Sequence, residues 1–432
     1  MQTITLEPLR WQEAPSRITV HANNSHPAVF YQIISPSSAE AICCGRPVEE
    51  LPRMLPMIAP SHHLTAALAL DRLFQVEPPE LAQNMRTALL QAQYFSSHLR
   101  KVFFLLTSRQ EPFADFRNAN RDFVQPASSK RLLEKLMHHL ALAQEAEDIL
   151  GGRHDHPLTA VAGGVSRYLK EGHYERLADI GAALLPFARE LAQRMRSEIL
   201  AEEGLLAPWS NLDLPALAGL HLAPGGQPTL VDPNGGSTQP FGADQLGDRI
   251  ALQNEAWTYQ PFAYLKEKGW QGLEPSAALF YVGPLARFNA GQAAATPLAE
   301  EERRRMIECL GTPPVYKLTA AFAAMAVELV QAAETLQALC SVEKLAGPTL
   351  RTIPKGHGDS TWAALEAPLG LTWHHYQVND AGIAQSVTVI DARAANNAFK
   401  CLLARQMVSA ALARNDDPAA IRASVAMALL PF

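Results

Sequence analysis

The chain has 432 residues, of which 48% are hydrophobic and 19% are charged, and its formal net charge is −6 at pH 7. This composition predicts an ordered globular protein with an extensive core, and it excludes a disordered chain. The acidic balance gives no indication of a nucleic-acid partner. The first residues, MQTITLEPLRW, lack the basic and apolar regions of a secretion signal, and no apolar run approaches the ~20 residues of a membrane span.

Five cysteines, two of them adjacent at Cys43 and Cys44, indicate a reduced cytoplasmic protein without a disulfide framework. Neighbouring side chains point apart in an extended segment, so we expect at most one of these two thiols to bind a given metal ion. The alternative interpretation is two half-buried thiols with no ligand. For Cys309, Cys340 and Cys401 we expect small buried side chains.

The N-terminal third opens with strand signals and then changes to helix. Residues 17–35 predict two strands around an Asn-Asn-Ser turn. Three prolines punctuate residues 49–60, and Ser61-His62-His63 precede an apolar run with helical spacing that extends to Leu73. Because proline cannot continue a helix interior and Ser61 is a suitable N-cap, we expect a turn followed by a helix. Such a turn at a buried helix start is a common place for a binding site.

Helical spacing of apolar residues recurs along the rest of the chain. It predicts long helices at residues 81–109, 130–150, 174–205 and 318–339. Residues 206–250 are rich in Gly, Pro, Asn and Asp and predict a loop-rich insertion. We expect strands near residues 257–290 and 371–390 to join the N-terminal strands in one small sheet. The predicted fold class is therefore α+β and predominantly α, with residues 1–432 forming a single domain.

Several short motifs follow one another in a characteristic order. They are Gly45-Arg46-Pro47 with Glu50, Ser61-His62, Gly151-Gly152-Arg153 with His156-Pro157, Gly163-Gly164-Val165, the VGPLAR segment from Val282 to Arg287, and Glu366-Ala367-Pro368-Leu369-Gly370. In this order they resemble the large subunits of nickel–iron hydrogenases over nearly the whole chain. The resemblance implies a hydrogenase large-subunit-like bundle of long helices with small peripheral sheets. The Gly-Pro turn and the arginine of VGPLAR suggest a structural role there.

The sequence departs from that family at the positions of its metal ligands. The two cysteines of the N-terminal metal-binding loop fall at Leu55 and Ile58, and an arginine that reaches over the iron ligands falls at Leu369. An alkyl side chain cannot replace a thiolate that bridges nickel and iron. The sequence reaches Phe432 about where the second cysteine pair of the family begins. We therefore expect that the chain does not activate hydrogen, has no catalytic residues and is not an enzyme.

The resemblance also implies a vestigial pocket, where residues 40–62, 151–165 and 366–375 converge. Its expected members are Glu40, Leu55, Ile58, His62, Glu366 and Leu369, and the three apolar ones would make the pocket more apolar. Glu40 falls near a proton-gate glutamate of the family, although a solvated loop residue is an equal alternative. No tightly bound cofactor is expected, and Cys43 or Cys44 would be the candidate ligand of a transiently held Fe(CN)2CO unit.

Large-subunit-like chains without the metal cysteines are typical of hydrogenase assembly proteins of the HupK/HoxV type. The resemblance thus implies a scaffold or chaperone that assists assembly or transfer of the Fe(CN)2CO unit, with maturation proteins or hydrogenase subunits as partners. The alternative is a metal-free structural subunit of an electron-transfer complex, similar to the quinone-site subunit of complex I. The short match at His26-Pro27 lacks the continuation of that subunit's motif. A third interpretation is a regulatory pseudo-subunit that binds a small hydrogenase-like subunit.

Overall fold

The computed structural model describes residues 2–7, 9, 12–22, 27–36, 38–55, 59–107, 127–201, 206, 212–223, 226–236, 240–276 and 278–432. Three antiparallel strands begin the chain, β1 (Gln2–Leu6), β2 (Ser16–Ala22) and β3 (Ala28–Ile33), and they pair in that order. Two short helices follow, α1 (Ala39–Cys43) and α2 (Leu51–Met54). Helix α3 (Pro60–Leu73) begins two residues earlier than predicted, with Ala59 rather than Ser61 at the N-cap.

Long helices come next, at the places where helical spacing predicts them. They are α4 (Glu80–Thr107), α5 (Ala127–Gly151) and α6 (Glu171–Arg194), and a π-helical turn at Met195–Ile199 extends the last one. Between α5 and α6, β4 (Ala160–Val161) and β5 (Gly164–Val165) form a short ribbon. The glycines of this ribbon are required, because a Cβ on Gly163 would lie 2.1 Å from the carbonyl oxygen of Thr352.

The middle of the chain alternates short strands with helices. The strands are β6 (Ala218–Ala223), β7 (Gln227–Val231), β8 (Ile250–Gln253), β9 (Phe262–Leu265) and β10 (Phe280–Tyr281), with α7 (Leu246–Arg249) before β8. Three helices follow, α8 (Pro284–Asn289), α9 (Pro297–Leu310) and α10 (Leu318–Leu339). The described part of residues 206–250 therefore contains the β6–β7 hairpin, whose Leu220 and Leu230 are buried.

The last part of the chain contains the largest sheet. Helix α11 (Val342–Leu345) precedes the antiparallel strands β11 (Ser360–Ala367), β12 (Gly370–Val378) and β13 (Ala384–Ile390). Three helices follow, α12 (Ala392–Ala395), α13 (Asn397–Ala413) and α14 (Pro418–Leu429). The β11–β12 register closes at Ala367 opposite Gly370, so Pro368 and Leu369 form a tight turn.

Helix α10 lies at the centre of the helical body, and its side chains from Leu318 to Val327 are all buried. It packs against α4, α6 and α9. The alanines along it have little side chain to separate neighbouring backbones, and alanine is also the best helix former. One apolar cluster extends from Leu6 through α10 to Phe432.

The predicted α+β, predominantly helical architecture is confirmed. The prediction of one small sheet is wrong, because the described strands form three separate three-stranded sheets and two ribbons. Strand pairing depends on contacts distant in sequence, which periodicity does not report. Among the described residues, no helix has the length and apolar character needed to cross a membrane.

Candidate functional site

A cavity of about 430 Å³, which we call the chamber, lies where the start of α3, the middle of α4, the end of α5 and the β11–β12 turn meet. Its lining is largely polar and includes six carboxylate or imidazole side chains from separate segments of the chain. These are Glu13 between β1 and β2, His62 at the start of α3, Glu147 on α5, His154 and Asp155 just after α5, and Asp391 before α12. A chamber of this kind favours polar or charged molecules over apolar ones.

The chamber contains residues from all three segments that the sequence predicts to converge. His62 comes from the first segment, His154 and Asp155 from the second, and Leu369 and Gly370 from the third. Glu366 lies just outside the chamber, where its carboxylate accepts hydrogen bonds from Arg287 and from the backbone of Leu222.

Two other predicted members of the pocket, Glu40 and Leu55, do not line the chamber. Glu40 is exposed on α1, and Leu55 is 4% exposed within an apolar cluster that includes Val48 and Leu51. Ile58 lies outside the described residues. The expectation that Leu55, Ile58 and Leu369 make the pocket more apolar stays a prediction; Leu369 lines the chamber, and the described wall is largely polar.

Four buried polar side chains form a hydrogen-bonded chain beside the chamber. The Tyr376 hydroxyl lies 2.7 Å from Nδ1 of His374, and Nε2 of His374 lies 3.2 Å from Nδ1 of His62. On its other side, His62 places Nε2 3.3 Å from a carboxylate oxygen of Asp391. Arg393 donates to the same oxygen through Nε at 2.8 Å. The chain thus connects α3, β12 and the start of α12 through side chains alone.

The charges in this chain have clear physical causes. Burial opposes ionisation of Asp391, but Arg393 and His62 hold its pKa well below the usual range. Burial lowers the pKa of His374 well below its usual value, and the neighbouring His62 adds to this effect. With Asp391 ionised and His374 neutral, one pattern satisfies every group: the Tyr376 hydroxyl donates to His374, His374 donates to His62, and His62 donates to Asp391.

Arg287, the arginine of the VGPLAR segment, holds the turn that closes the chamber. Its Nη1 donates to the carbonyl of Ala367 at 3.1 Å and its Nη2 donates to that of Pro368 at 2.9 Å. The guanidinium also pairs with Glu328 and Glu366. A single guanidinium can satisfy so many acceptors because its five N–H groups form a rigid fork. The structural role suggested for this arginine agrees with its geometry.

The two adjacent cysteines lie away from the chamber lining. Cys43 is completely buried in the apolar cluster with Leu51 and Leu55, and burial raises the pKa of its thiol to about 11. Cys44 is partly exposed, and its Sγ donates to the carbonyl of Gln385 at 3.6 Å. A thiol is a metal ligand as the thiolate, which burial in apolar surroundings disfavours. A metal-binding role for either cysteine stays a prediction.

A nickel–iron centre does not fit the donors that the described residues provide. Such a centre needs soft thiolate ligands, whereas the described lining of the chamber offers imidazole, carboxylate, hydroxyl and guanidinium groups and no cysteine. Within the described ranges, no group of three or more His, Cys, Asp or Glu side chains is placed to hold a metal ion.

Sequence reasoning missed the polar face of α4 and the carboxyl group opposite it. Gln93, Ser96, Ser97 and Arg100 all line the chamber, as does Glu147 of α5. The signal was available, because positions 93, 96, 97 and 100 have the i, i+3, i+4, i+7 spacing of one helix face. Their polar character stands out in a helix whose Leu89, Phe95 and Leu99 are buried.

Comparison with known proteins places the fold. No family model matches the chain. It is 27% identical over 428 residues to an iron-sulfur subunit of the F420-non-reducing hydrogenase of Archaeoglobus profundus, covering 92% of this chain and 86% of that protein. It is 25% identical over 409 residues to a vhu subunit of the F420-non-reducing hydrogenase of Methanococcus voltae, covering 92% and 96%. A solved NAD+-reducing [NiFe]-hydrogenase in the H2-reduced state aligns with a TM-score of 0.84 at 21% identity, covering 100% of this chain and 98% of that one.

The fold and these similarities define a hydrogenase large-subunit-like protein. The prediction that the chain is not an enzyme is wrong, since relatives along 92% of its length are named as hydrogenase subunits. The prediction of no tightly bound cofactor and at most a transient Fe(CN)2CO unit is also contradicted, because the similar solved structure is that of a [NiFe]-hydrogenase. The motifs predicted the fold correctly. The absence of the family's metal ligands from the sequence was not sufficient to predict the absence of enzymatic activity.

Proposed function

We propose that this hydrogenase large-subunit-like protein acts in the assembly of a nickel–iron hydrogenase, where it engages partners that also recognise a large subunit. One observation carries the proposal. The large-subunit fold is present along the whole described chain, while the described wall of its central chamber carries hard nitrogen and oxygen donors instead of thiolates. The chain thus combines the large-subunit fold with a chamber whose described side chains offer nitrogen and oxygen donors rather than thiolates.

Partner recognition supports this role because protein interfaces depend on shape complementarity over a large surface. A chain with the fold of a large subunit can present similar surfaces to maturation proteins or to a small hydrogenase subunit. The interior of the chamber does not enter such contacts directly. A chamber lined by different side chains is therefore compatible with binding to the same protein partners.

The test is affinity purification of a tagged chain from cells that are producing a hydrogenase. We expect the chain to recover an immature large subunit or maturation proteins, and to be absent from the finished hydrogenase. An in-frame deletion should lower the amount of mature large subunit, and the wild-type gene should restore it. Finding the chain at one copy per finished hydrogenase, with normal maturation in the deletion strain, would overturn the proposal.

The same purification tests a second candidate, a permanent subunit of a hydrogenase-like or complex I-like electron-transfer complex. This candidate is favoured by the names of the relatives, which are hydrogenase subunits. It predicts a fixed stoichiometry in the finished complex that survives a gel-filtration step. The assembly role predicts an association that disappears when maturation is complete.

A further inference from the structure

One face of α4 lines the chamber with polar side chains. Gln93, Ser96 and Arg100 point to it from successive turns, and Ser61 faces them from α3. Gln93 donates through Nε2 to the Ser61 hydroxyl at 3.2 Å. That bond leaves the side-chain oxygen of Gln93 buried and without a hydrogen-bond partner among the described residues. A buried acceptor without a partner is costly, and a hydroxyl or N–H group on a bound molecule would remove that cost.

Opposite this face, Glu147 of α5 lines the chamber and is only 4% exposed. Its carboxylate accepts a hydrogen bond of 2.5 Å from Ser96. The charged groups that face it are Arg100 on α4 and His154 and Asp155 in the segment after α5. Burial raises the pKa of Glu147 to about 7, against the lowering effects of Ser96, Arg100 and His154. A buried carboxyl group in a cavity, poised near neutral pH, is typical of a functional site.

The described lining of the chamber carries two arginines, Arg100 and Arg393, beside four carboxylates, Glu13, Glu147, Asp155 and Asp391. Two lysines lie near this lining without being part of it. Lys101 and Lys400 are 7% and 5% exposed, and both are close enough to Glu13, a lining residue, for its charge to raise their pKa. Burial is the larger influence, and it lowers the pKa of Lys400 to about 8, with further lowering by Lys101. Crowded, partly desolvated cations of this kind are stabilised by a nearby anion.

Both cations in the described lining of the chamber are arginines. Arg393 already pairs with Asp391, while Arg100 makes no ion pair with Glu147 or with any other side chain among the described residues of the chamber. The guanidinium of Arg100 is therefore the group best placed to bind an anionic oxygen, because its fork of N–H donors matches an oxyanion.

We propose that the chamber binds a small hydroxylated oxyanion of the hydroxycarboxylate class. Arg100 binds its carboxylate, the oxygen of Gln93 accepts a hydrogen bond from its hydroxyl group, and Glu147 takes up a proton from solvent as the anion enters. The proton neutralises Glu147, so its buried carboxyl group does not face the carboxylate of the ligand with a second negative charge. This inference is independent of the proposed role in assembly, since it concerns a ligand of the purified protein.

The experiment is titration calorimetry of glycolate into the purified full-length chain at pH 7, in two buffers with different ionisation enthalpies. Glycolate is fully ionised at this pH, so any proton taken up belongs to the protein. We expect uptake of up to about half a proton on binding. Glu147→Gln should bind glycolate without proton uptake. Glu145→Gln is the matched control, because Glu145 is on the same helix but pairs with Arg176, and it should behave like the wild type.

Acetate tests the hydroxyl contact, since it has the carboxylate but no hydroxyl group. Wild-type protein should bind acetate about tenfold more weakly than glycolate, and Gln93→Leu should remove that preference. Arg100→Gln should weaken both ligands by about tenfold or more. Absence of glycolate binding by the folded wild-type protein, or equal proton uptake by Glu147→Gln, would overturn the proposal.

Ser96→Ala provides a second route if Glu147→Gln does not fold. Removing the hydrogen bond from Ser96 takes away an interaction that favours ionised Glu147, so the pH of maximal proton uptake should rise. An unchanged pH profile in this variant would assign the proton to another group and would count against the proposal.

Discussion

The imidazole of His63 is buried between two backbone segments beside the chamber. Its Nδ1 donates to the carbonyl of Pro52 at 2.7 Å, and its Nε2 accepts from the backbone of Ala160 at 2.9 Å. Because one nitrogen donates and the other accepts, only the neutral form fits. Burial accordingly lowers the pKa of His63 from its usual 6.5 to about 4.

We expect His63 to make the protein less stable as the pH falls from 6.5 to 4. In that window the unfolded chain takes up a proton at this position and the folded chain does not, so the free energy of unfolding decreases by up to about 3 kcal/mol. His63→Gln can keep both hydrogen bonds and should remove this part of the pH dependence. Urea unfolding at several pH values measures it, with exposed His138→Gln as the control. An unchanged slope in His63→Gln would contradict the assignment.

Asp391 also affects stability as the pH falls, but at lower pH than His63. Its folded pKa is lowered, so the stability it contributes is fully present above the usual aspartate range near pH 4 and is lost as the pH falls further. At pH 7, Asp391→Asn leaves Arg393 and His62 without their charged partner. We expect a loss of about 2 kcal/mol, reduced because the Arg393 side chain is 22% exposed to solvent.

The measurement for Asp391 is the urea midpoint at pH 7 compared with that of Asp380→Asn, an exposed turn residue. Equal midpoints for the two variants would show that the polar chain beside the chamber contributes little to stability. A larger loss for Asp391→Asn, decreasing below pH 4, is the expected result.

At the level of single residues, the sequence predicted part of the candidate site and missed the rest for physical reasons. His62 and Leu369 were found because each adjoins a motif with proline or glycine, which restricts the backbone. Leu55 was misplaced because a motif alignment gives the position of a residue but not the direction of its side chain, and an apolar side chain prefers the core. Cys309, expected to be buried, is exposed on α9.

Among the elements, the contact between the VGPLAR segment and the β11–β12 turn shapes the chamber. Gly283 has φ of 108°, and a Cβ there would lie 2.6 Å from the carbonyl oxygen of Leu369. Gly283→Ala is therefore expected to destabilise the protein by about 2 kcal/mol and to displace the turn. Denaturant unfolding measures the loss of stability. Weaker glycolate binding would report displacement of the β11–β12 turn.

Gly172→Ala is the control for this prediction. Gly172 is in the first turn of α6, and a Cβ there meets no atom within 4 Å. Alanine should stabilise the helix by about 0.5–1 kcal/mol. If both glycine variants have the same stability, the close approach at Gly283 is not important.

The helices were predictable and the sheets were not, because the two depend on different information. The spacing of apolar residues in α4, α5 and α10 is local and extends over many turns. In contrast, β10 pairs in parallel with β6, more than sixty residues earlier, in the region predicted as an insertion. Strand β10 has only two residues, too few for any periodic signal.

For the whole molecule, we predict a single cooperative unit with residues 206–250 as the first site of proteolysis. Leu6 and Phe432 belong to the same apolar cluster, so both ends of the described chain should unfold together. A turn follows β7, and its exposed residues are 232 and 234–236. Because residues 206–248 contain no lysine or arginine, an aspartate-directed protease is needed rather than trypsin.

Mass spectrometry of the first fragments should place the initial cut near Asp232. Release of two fragments that each unfold cooperatively would contradict the single unit. An early cut in α10 would contradict it more strongly, because that helix is buried along most of its length.

The location of Leu55 has a consequence for engineering a thiol into this chain. Its side chain belongs to the apolar cluster with Val48, Leu51 and Cys43, away from the chamber. Leu55→Cys would therefore place a new thiol in that cluster rather than in the cavity. Burial in apolar surroundings disfavours the thiolate, so a soft metal ligand in the chamber would need a rearranged loop in addition to the changed residue.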